Sequence, residues 1–189
     1  MGEPASRAAL SPTLRSCILL VVALVSLWLR PAVPQVSVPY AIHDDGLFVN
    51  LARHILAGEW LGPYDVRTLS KGAAYPLFIA AAHLIGVPLK IAEHILYLLA
   101  SLAMAWSAGR LLRSEGASIA MFCALAFNPI LWGSSGAHVY RDWLSMIAAL
   151  ALVACAARSF LADADARRPL RFRLGWLLAT ATVKFGDIG

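Results

Sequence analysis

Two adjacent acidic residues, Asp44 and Asp45, are the most chemically loaded feature of the sequence, since they follow its first long apolar block. Carboxylates beside an apolar segment are costly unless water, a cation or a basic partner compensates their charge. Taken alone, the pair favours a helix N-cap, because aspartate is preferred there and an apolar-periodic segment follows at once. The alternative is a polar site in the loop, since one aspartate can cap the helix while the other faces a ligand or a cation.

Two further loops carry polar groups that could contribute to a site with the acidic pair. Lys71 precedes a flexible glycine, and Tyr75 follows four residues later; an ammonium and backbone N–H groups both suit a phosphate. The alternative is an interfacial Lys/Tyr anchor. Another polar loop holds His138, Arg141 and Asp142, and its alternative is an ordinary turn with Arg141 paired to Asp142 at a helix start.

The composition of the chain indicates that membrane-spanning helices hold these polar loops. Hydrophobic residues make up 60% of the 189 residues and charged residues 14%, against roughly 25% charged residues in soluble domains. Several apolar runs approach the roughly 20 residues that a helix needs to cross a bilayer. We therefore predict an all-α fold, a polytopic transmembrane helical bundle in the cell membrane. The net charge of +5 lies in short clusters between apolar runs, which indicates topology signals and no nucleic-acid partner.

The apolar runs predict a cytoplasmic tail at 1–16 and one membrane module over 17–189. The predicted spans lie at about 17–34, 91–109, 117–133 and 143–162, with an incomplete run at 174–183. An outer loop covers 35–90, and leucine and isoleucine at helical spacing predict a short amphipathic juxtamembrane helix in it, with Leu47, Leu51, Ile55 and Leu56 on one face. The three cysteines lack metal or disulfide spacing and are expected to be buried small hydrophobes.

Two points of topology have alternatives. The first apolar block also fits a signal peptide, but no clear cleavage site follows Arg30, so we favour an uncleaved helix whose Arg30 extends toward headgroups. Whether 73–88 crosses the membrane stays open. If it does not cross and the N-terminus is cytoplasmic, nearly all basic clusters are cytoplasmic, as the positive-inside rule favours. The loop at 134–142 then lies on the outer face together with Asp44 and Asp45.

The order of these features resembles the N-terminal module of GT-C membrane glycosyltransferases, such as dolichyl-phosphate-mannose protein mannosyltransferases and bacterial polyprenyl-phosphate-sugar transferases. His43-Asp44-Asp45-Gly-Leu-Phe48-Val-Asn-Leu-Ala52-Arg53 is similar to the family's Asp-Glu-x-x-Tyr-x-x-x-Ala-Arg block. Lys71-Gly-Ala-Ala-Tyr75-Pro76-Leu77 is similar to its Lys-Pro-Pro-x-Tyr-Pro-Leu block, and Asp142 stands where its second acidic loop carries Asp. The resemblance covers about residues 15–160.

The chain departs from the family pattern at four positions. Asp45 replaces the usual Glu, Phe48 replaces Tyr, and Gly72-Ala73 replaces the double proline. The change at Asp45 keeps the charge, whereas the loss of the prolines leaves the lysine loop less rigid.

The resemblance implies sugar transfer from a polyprenyl-phosphate-linked donor to an acceptor at the outer membrane face. It implies that Asp44 is the catalytic base, that Asp45 and Asp142 orient the acceptor or a cation, and that Lys71 and Tyr75 contact the donor phosphate. His138 and Arg141 are expected to support the site. Family members differ in their use of a divalent cation, so the metal stays open.

Two expectations qualify this activity. The last apolar run stops early and family members are longer, so we expect a truncated product that is inactive alone or needs a second polypeptide for the missing helices. The alternative function is that of a non-enzymatic multi-pass membrane protein, such as a transporter fragment or an assembly subunit.

Overall fold

A computed structural model describes residues 11–33, 45–63, 72–133 and 142–163 of the chain. These described residues fold into helices with no strand among them, which confirms the all-α prediction. The helices are α1 (Pro12–Leu29), followed by a 3-10 turn (Arg30–Ala32), α2 (Asp45–Leu56), α3 (Ala74–Leu84), α4 (Leu89–Leu111), α5 (Glu115–Ala126), α6 (Pro129–Trp132) and α7 (Asp142–Asp163).

Three of these segments are long and apolar enough to cross a membrane, as the sequence predicts. They are Pro12–Ala32, Leu89–Leu111 and Glu115–Trp132, with lengths of 21, 23 and 18 residues. α7 has 22 residues and occupies the fourth predicted span, at 143–162. The run predicted at 174–183 lies outside the described residues.

The first helix begins earlier than the apolar run predicts. The Ser11 hydroxyl accepts a hydrogen bond from the Leu14 amide at 3.2 Å, and Pro12 is the first helical residue. Serine at the N-cap followed by proline is a strong helix start, because the fixed φ of proline fits the first turn, where its missing N–H is not needed. The helix therefore includes polar residues that the sequence assigns to the tail. Cys17, expected to be buried, is exposed.

The third predicted span, 117–133, is a helix with a break. α5 ends at Ala126, and the Asn128 side chain accepts from the Ile130 amide at 3.1 Å to start α6. Pro129 causes this break, because the residue before a proline is disfavoured in the helical conformation.

Helix α4 is the centre of the packing. α5 and α7 lie against it with small residues at the contacts; Ala105, Ala126 and Ala154 are each fully buried. Small side chains let helices approach closely, which is the usual basis of helix association in membranes. α1 packs mainly against α5.

Helices α2 and α3 form a separate short pair. α2 is a helix where the sequence predicts one, but its buried face differs from the predicted one: Phe48, Leu51 and Ala52 are buried and pack toward α3, whereas Leu56 is 37% exposed. α3 has 11 residues; at about 1.5 Å per residue it is about half as long as a bilayer core is thick. This length supports the topology in which residues 73–88 do not cross.

Candidate functional site

Four helix ends lie close together in the structure: the last residues of α1 and α6 and the first residues of α4 and α7. Arg30 at the end of α1 donates to the carbonyl of Leu131 in α6, and its guanidinium lies 5.7 Å from the centre of the Trp143 ring in α7. Lys90 of α4 donates to the carbonyl of Val33 at 3.0 Å. We call this region the Glu93 end, after the buried carboxylate at its centre.

The Glu93 end holds a buried charged cluster, which consists of Arg30, Lys90 and Glu93. Their exposed fractions are 2%, 6% and 6%. The Tyr75 hydroxyl donates to Glu93 Oε1 at 2.7 Å, and both basic residues interact electrostatically with the carboxylate. Ionisable residues within membrane helices are rare and are retained where opposite charges or backbone carbonyls compensate them, as the carbonyls of Leu131 and Val33 do for Arg30 and Lys90.

A second polar layer lies one turn deeper, where α1, α4 and α5 meet. The Ser26 hydroxyl donates to the Ala126 carbonyl at 2.9 Å, and its oxygen lies 2.9 Å from His94 Nε2. A hydroxyl has one proton, so Ser26 must accept from His94, which places the imidazole proton on Nε2. His94 Nδ1 is buried and has no hydrogen-bond partner in the part of the chain that the structure describes. This layer fixes the three helices relative to one another below the charged cluster.

The acidic start of α2 is connected to the same cluster through aromatic packing. The Phe48 ring, one turn after Asp45, meets the Tyr75 ring edge to face at 5.2 Å between centroids. Tyr75 in turn binds Glu93. α7 begins at Asp142, whose neighbour Trp143 contacts Arg30. The backbone positions of Asp45 and Asp142 are thus both tied to the Glu93 end, although they are far apart in sequence.

The structure describes three of the predicted site residues. Tyr75 is fully buried and its hydroxyl contacts Glu93, so in this structure it joins α3 to α4. Asp142 is exposed in the first turn of α7, where a carboxylate interacts favourably with the helix dipole. Asp45 is the first residue of α2. Asp44, Lys71, His138 and Arg141 lie outside the described residues.

The sequence does not predict the buried charged cluster. Arg30 is expected to extend away from the helices toward headgroups, but it is 2% exposed, because the Leu131 carbonyl and the Trp143 ring receive its guanidinium. The only sequence feature that these three residues share is that they are charged and lie at the margins of apolar runs, which does not distinguish burial from exposure to headgroups.

The opposite end of the helices is basic. Arg15 of α1, Arg110 of α4 and Arg113 line one cavity, and Arg158 of α7 lies 4.2 Å from the centre of the Trp106 ring at the rim of the same cavity. We call this the Arg110 end. The described basic residues of α1, α4 and α7 therefore divide between a paired cluster at one end and an arginine-lined cavity at the other.

Among the residues that the structure describes, no group of three His, Cys, Asp or Glu side chains could hold a metal ion. Comparisons with protein-family models, with curated proteins and with solved structures gave no match.

Proposed function

We propose that the chain is the N-terminal part of a membrane glycosyltransferase of the GT-C type. In this proposal it is a polytopic bundle, and it transfers a sugar from a polyprenyl-phosphate-linked donor to an acceptor at the outer membrane face. The proposal rests on the order of the acidic, lysine and aspartate blocks along the sequence. One observation from the fold supports it most: two helices that begin with aspartate, α2 and α7, are anchored to one buried charged cluster.

The proposed chemistry needs a base and a stabilised leaving group. Asp44 takes the proton from the acceptor hydroxyl, and the oxygen of that hydroxyl bonds to the anomeric carbon of the sugar. The bond from that carbon to the phosphate oxygen breaks, and the polyprenyl phosphate leaves with its charge steadied by Lys71. Asp45 and Asp142 orient the acceptor or a cation, with His138 and Arg141 in support.

Tyr75 has a different part in this proposal from the one that the resemblance implies. Because its hydroxyl is held by Glu93 and its ring is buried, Tyr75 acts as a positioning residue. It fixes the start of α3, four residues after Lys71, and it carries the Phe48 contact that holds α2. The helices that follow the aspartate pair and the lysine in sequence, α2 and α3, are therefore held together by the same buried ring.

The position of the buried charges favours this proposal over a transporter fragment. Transporters bind substrate near the bilayer midplane, at broken helices. Here Arg30 lies in the last turn of its span, and Lys90 and Glu93 lie in the first two turns of α4. These positions correspond to the headgroup level, where a lipid-linked sugar presents its phosphate.

The test measures sugar transfer in native membranes, in which any second polypeptide that the chain needs is present, with a radiolabelled sugar on a polyprenyl phosphate carrier. We expect transfer to be reduced by about a hundredfold or more in Asp44→Asn, the loss typical of a missing general base, and to be reduced in Asp142→Asn. Glu59→Gln is the matched control, because Glu59 is an exposed carboxylate after α2 that pairs with His54 away from the cluster. Equal transfer in all variants, or none above background in the parent chain, would contradict the proposal.

A further inference from the structure

We propose that the cavity at the Arg110 end binds the phosphate of an anionic phospholipid with a hydroxyl-bearing headgroup, such as phosphatidylglycerol. The inference is independent of the proposed glycosyltransferase activity, because it concerns the opposite end of the helices. The cavity has a volume of about 290 Å³ and is lined by Arg15, Arg110, Arg113, Ser114 and Glu115, among others.

The arginines of this cavity have their charges available for a ligand. Within the described part of the chain, none of Arg15, Arg110 and Arg113 forms an ion pair with a carboxylate. Arg110 lies over the Trp106 ring at 5.6 Å, and Arg158 lies over the same ring at 4.2 Å. Against these cations the lining contains one acidic residue, Glu115. An anion that enters the cavity therefore meets a net positive charge, and arginine is the side chain best suited to phosphate oxygens.

The backbone that builds the cavity is strained at one of these arginines. α4 ends in a Schellman motif: the Ser114 amide donates to the Gly109 carbonyl at 3.0 Å and the Arg113 amide to the Arg110 carbonyl at 3.3 Å. Arg113 occupies the left-handed position of this motif, with φ of 48°, where glycine is the usual residue. Strain of this kind is typically kept where the side chain has a function. A charged side chain at this position points to a ligand at the cavity.

Glu115 supplies the argument for a hydroxyl-bearing headgroup. Its Oε2 atom is buried and has no hydrogen-bond partner in the part of the chain that the structure describes. A buried carboxylate oxygen without a hydrogen-bond partner is costly. An anion that carries no hydroxyl group could not donate a hydrogen bond to this oxygen. A glycerol headgroup carries hydroxyls next to its phosphate, so it could donate to Glu115 while the arginines hold the phosphate.

The surroundings of the cavity favour a lipid over a soluble phosphate. Leu111 and Leu112 are each 63% exposed beside it, and Trp106 is 44% exposed. Exposed leucines need apolar contact, and tryptophan is enriched at the level of lipid headgroups. Basic pockets between membrane helices bind anionic headgroups by this combination of charge and apolar contact.

The experiment measures lipid binding by native mass spectrometry of the full chain, released from nanodiscs of phosphatidylglycerol and phosphatidylcholine in equal amounts. We expect phosphatidylglycerol to be retained selectively. Removal of one arginine should weaken its retention about fivefold and removal of two about 30-fold, as expected for basic residues at an anionic surface. The variants are Arg113→Gly alone and together with Arg110→Gln; glycine suits the backbone at position 113, so the single variant keeps the fold, which circular dichroism verifies.

The control is Arg53→Gln, which removes the same charge from an exposed position on α2. It should leave retention of phosphatidylglycerol within about twofold of the parent chain. Three outcomes would overturn the proposal: equal retention of both lipids, a loss in Arg53→Gln as large as in the double variant, or displacement of the bound lipid by millimolar inorganic phosphate or glycerol phosphate, which would identify a soluble ligand.

Discussion

At the scale of single residues, the charged cluster illustrates how an apolar protein tolerates ionisable groups. Glu93, Arg30 and Lys90 are nearly excluded from the surface, yet each has a described partner: the Tyr75 hydroxyl, the Leu131 carbonyl and the Val33 carbonyl. A buried charge that loses one partner is left with an uncompensated desolvation cost. The partners should therefore be as important for stability as the charges themselves.

Replacement of Tyr75 by phenylalanine tests this dependence, because the ring stays while the hydrogen bond to Glu93 is lost. We expect the free energy of unfolding to fall by about 2 kcal/mol, the range for a bond to a charged acceptor. Tyr97→Phe is the matched control: Tyr97 is also buried, but it donates to the neutral carbonyl of Leu125 at 2.9 Å. Loss of the hydrogen bond from Tyr97 should lower the free energy of unfolding by about 1 kcal/mol or less. Unfolding with a denaturing detergent measures both, and equal losses would show that Glu93 does not depend on Tyr75.

Two buried serines in the predicted spans give a second matched pair. Ser26 and Ser101 are both fully buried, but Ser26 bonds to Ala126 and His94, whereas the Ser101 hydroxyl has no partner in the described part of the chain. Ser26→Ala should lower the free energy of unfolding by about 1.5 kcal/mol, since it removes two bonds. Ser101→Ala should leave stability unchanged or raise it, because burying an unpaired hydroxyl is unfavourable. A larger loss in Ser101→Ala than in Ser26→Ala would be inconsistent with the structure.

At the scale of elements, the sequence predicts what local composition controls. α4 and α7 follow the apolar runs to within two residues at each end, whereas the leucine periodicity predicts the presence of α2 but not its buried face. The predicted span at 117–133 is broken at Asn128-Pro129. Pro129 is visible in the sequence and could have indicated this break. The early start of α1 depends on the Ser11 cap, which hydropathy does not register.

The candidate site was harder to predict because its contacts join distant parts of the chain. Arg30 meets the Leu131 carbonyl and Trp143, each more than 100 positions away. No local pattern distinguishes an arginine that extends to headgroups from one that is held by a carbonyl of another helix. The predicted catalytic base Asp44 and the predicted phosphate contact Lys71 lie outside the described residues, so their roles stay predictions.

The packing of α4 against α5 depends on a glycine. A Cβ added to Gly109 would lie 2.7 Å from the Ser118 Cβ, so Gly109→Ala forces the two helices apart. We expect a loss of about 1–2 kcal/mol in the free energy of unfolding, typical of overpacking. Gly116→Ala is the control in α5, since the nearest atom to its added Cβ is 3.8 Å away; it should raise stability by about 0.5 kcal/mol through helix propensity. If both variants behave alike, the close approach at Gly109 does not limit the packing.

At the scale of the whole molecule, the two ends of the helices differ in how they use charge. At the Glu93 end, basic and acidic groups are buried together, and the acidic starts of α2 and α7 are attached to them. At the Arg110 end, Arg15, Arg110, Arg113 and Arg158 gather around one cavity and one tryptophan. An excess of arginine at one end of membrane helices is the signal that retains that end in the cytoplasm. We therefore infer that the Glu93 end faces outward.

Cysteine labelling of intact cells tests this orientation. The native Cys17, Cys123 and Cys155 are first replaced by alanine, and single cysteines are then introduced at Asp44, Ile85, Asp142 and Arg113. A membrane-impermeant maleimide should label positions 44 and 142 from outside, and position 113 only after the cells are permeabilised.

Position 85 decides the one crossing that the sequence left open. Ile85 is 71% exposed just after α3, and because α3 is too short to span the bilayer, it should be labelled from outside together with position 142. Labelling of position 85 from inside alone, with position 44 labelled from outside, would mean that α3 crosses, which would contradict the contact of Lys90 with Val33 at the end of α1. Labelling of position 142 from inside alone would separate Asp142 from the acceptor and exclude an outer site shared by the two acidic helix starts. The orientation of the bundle and the proposed chemistry thus depend on the same two positions.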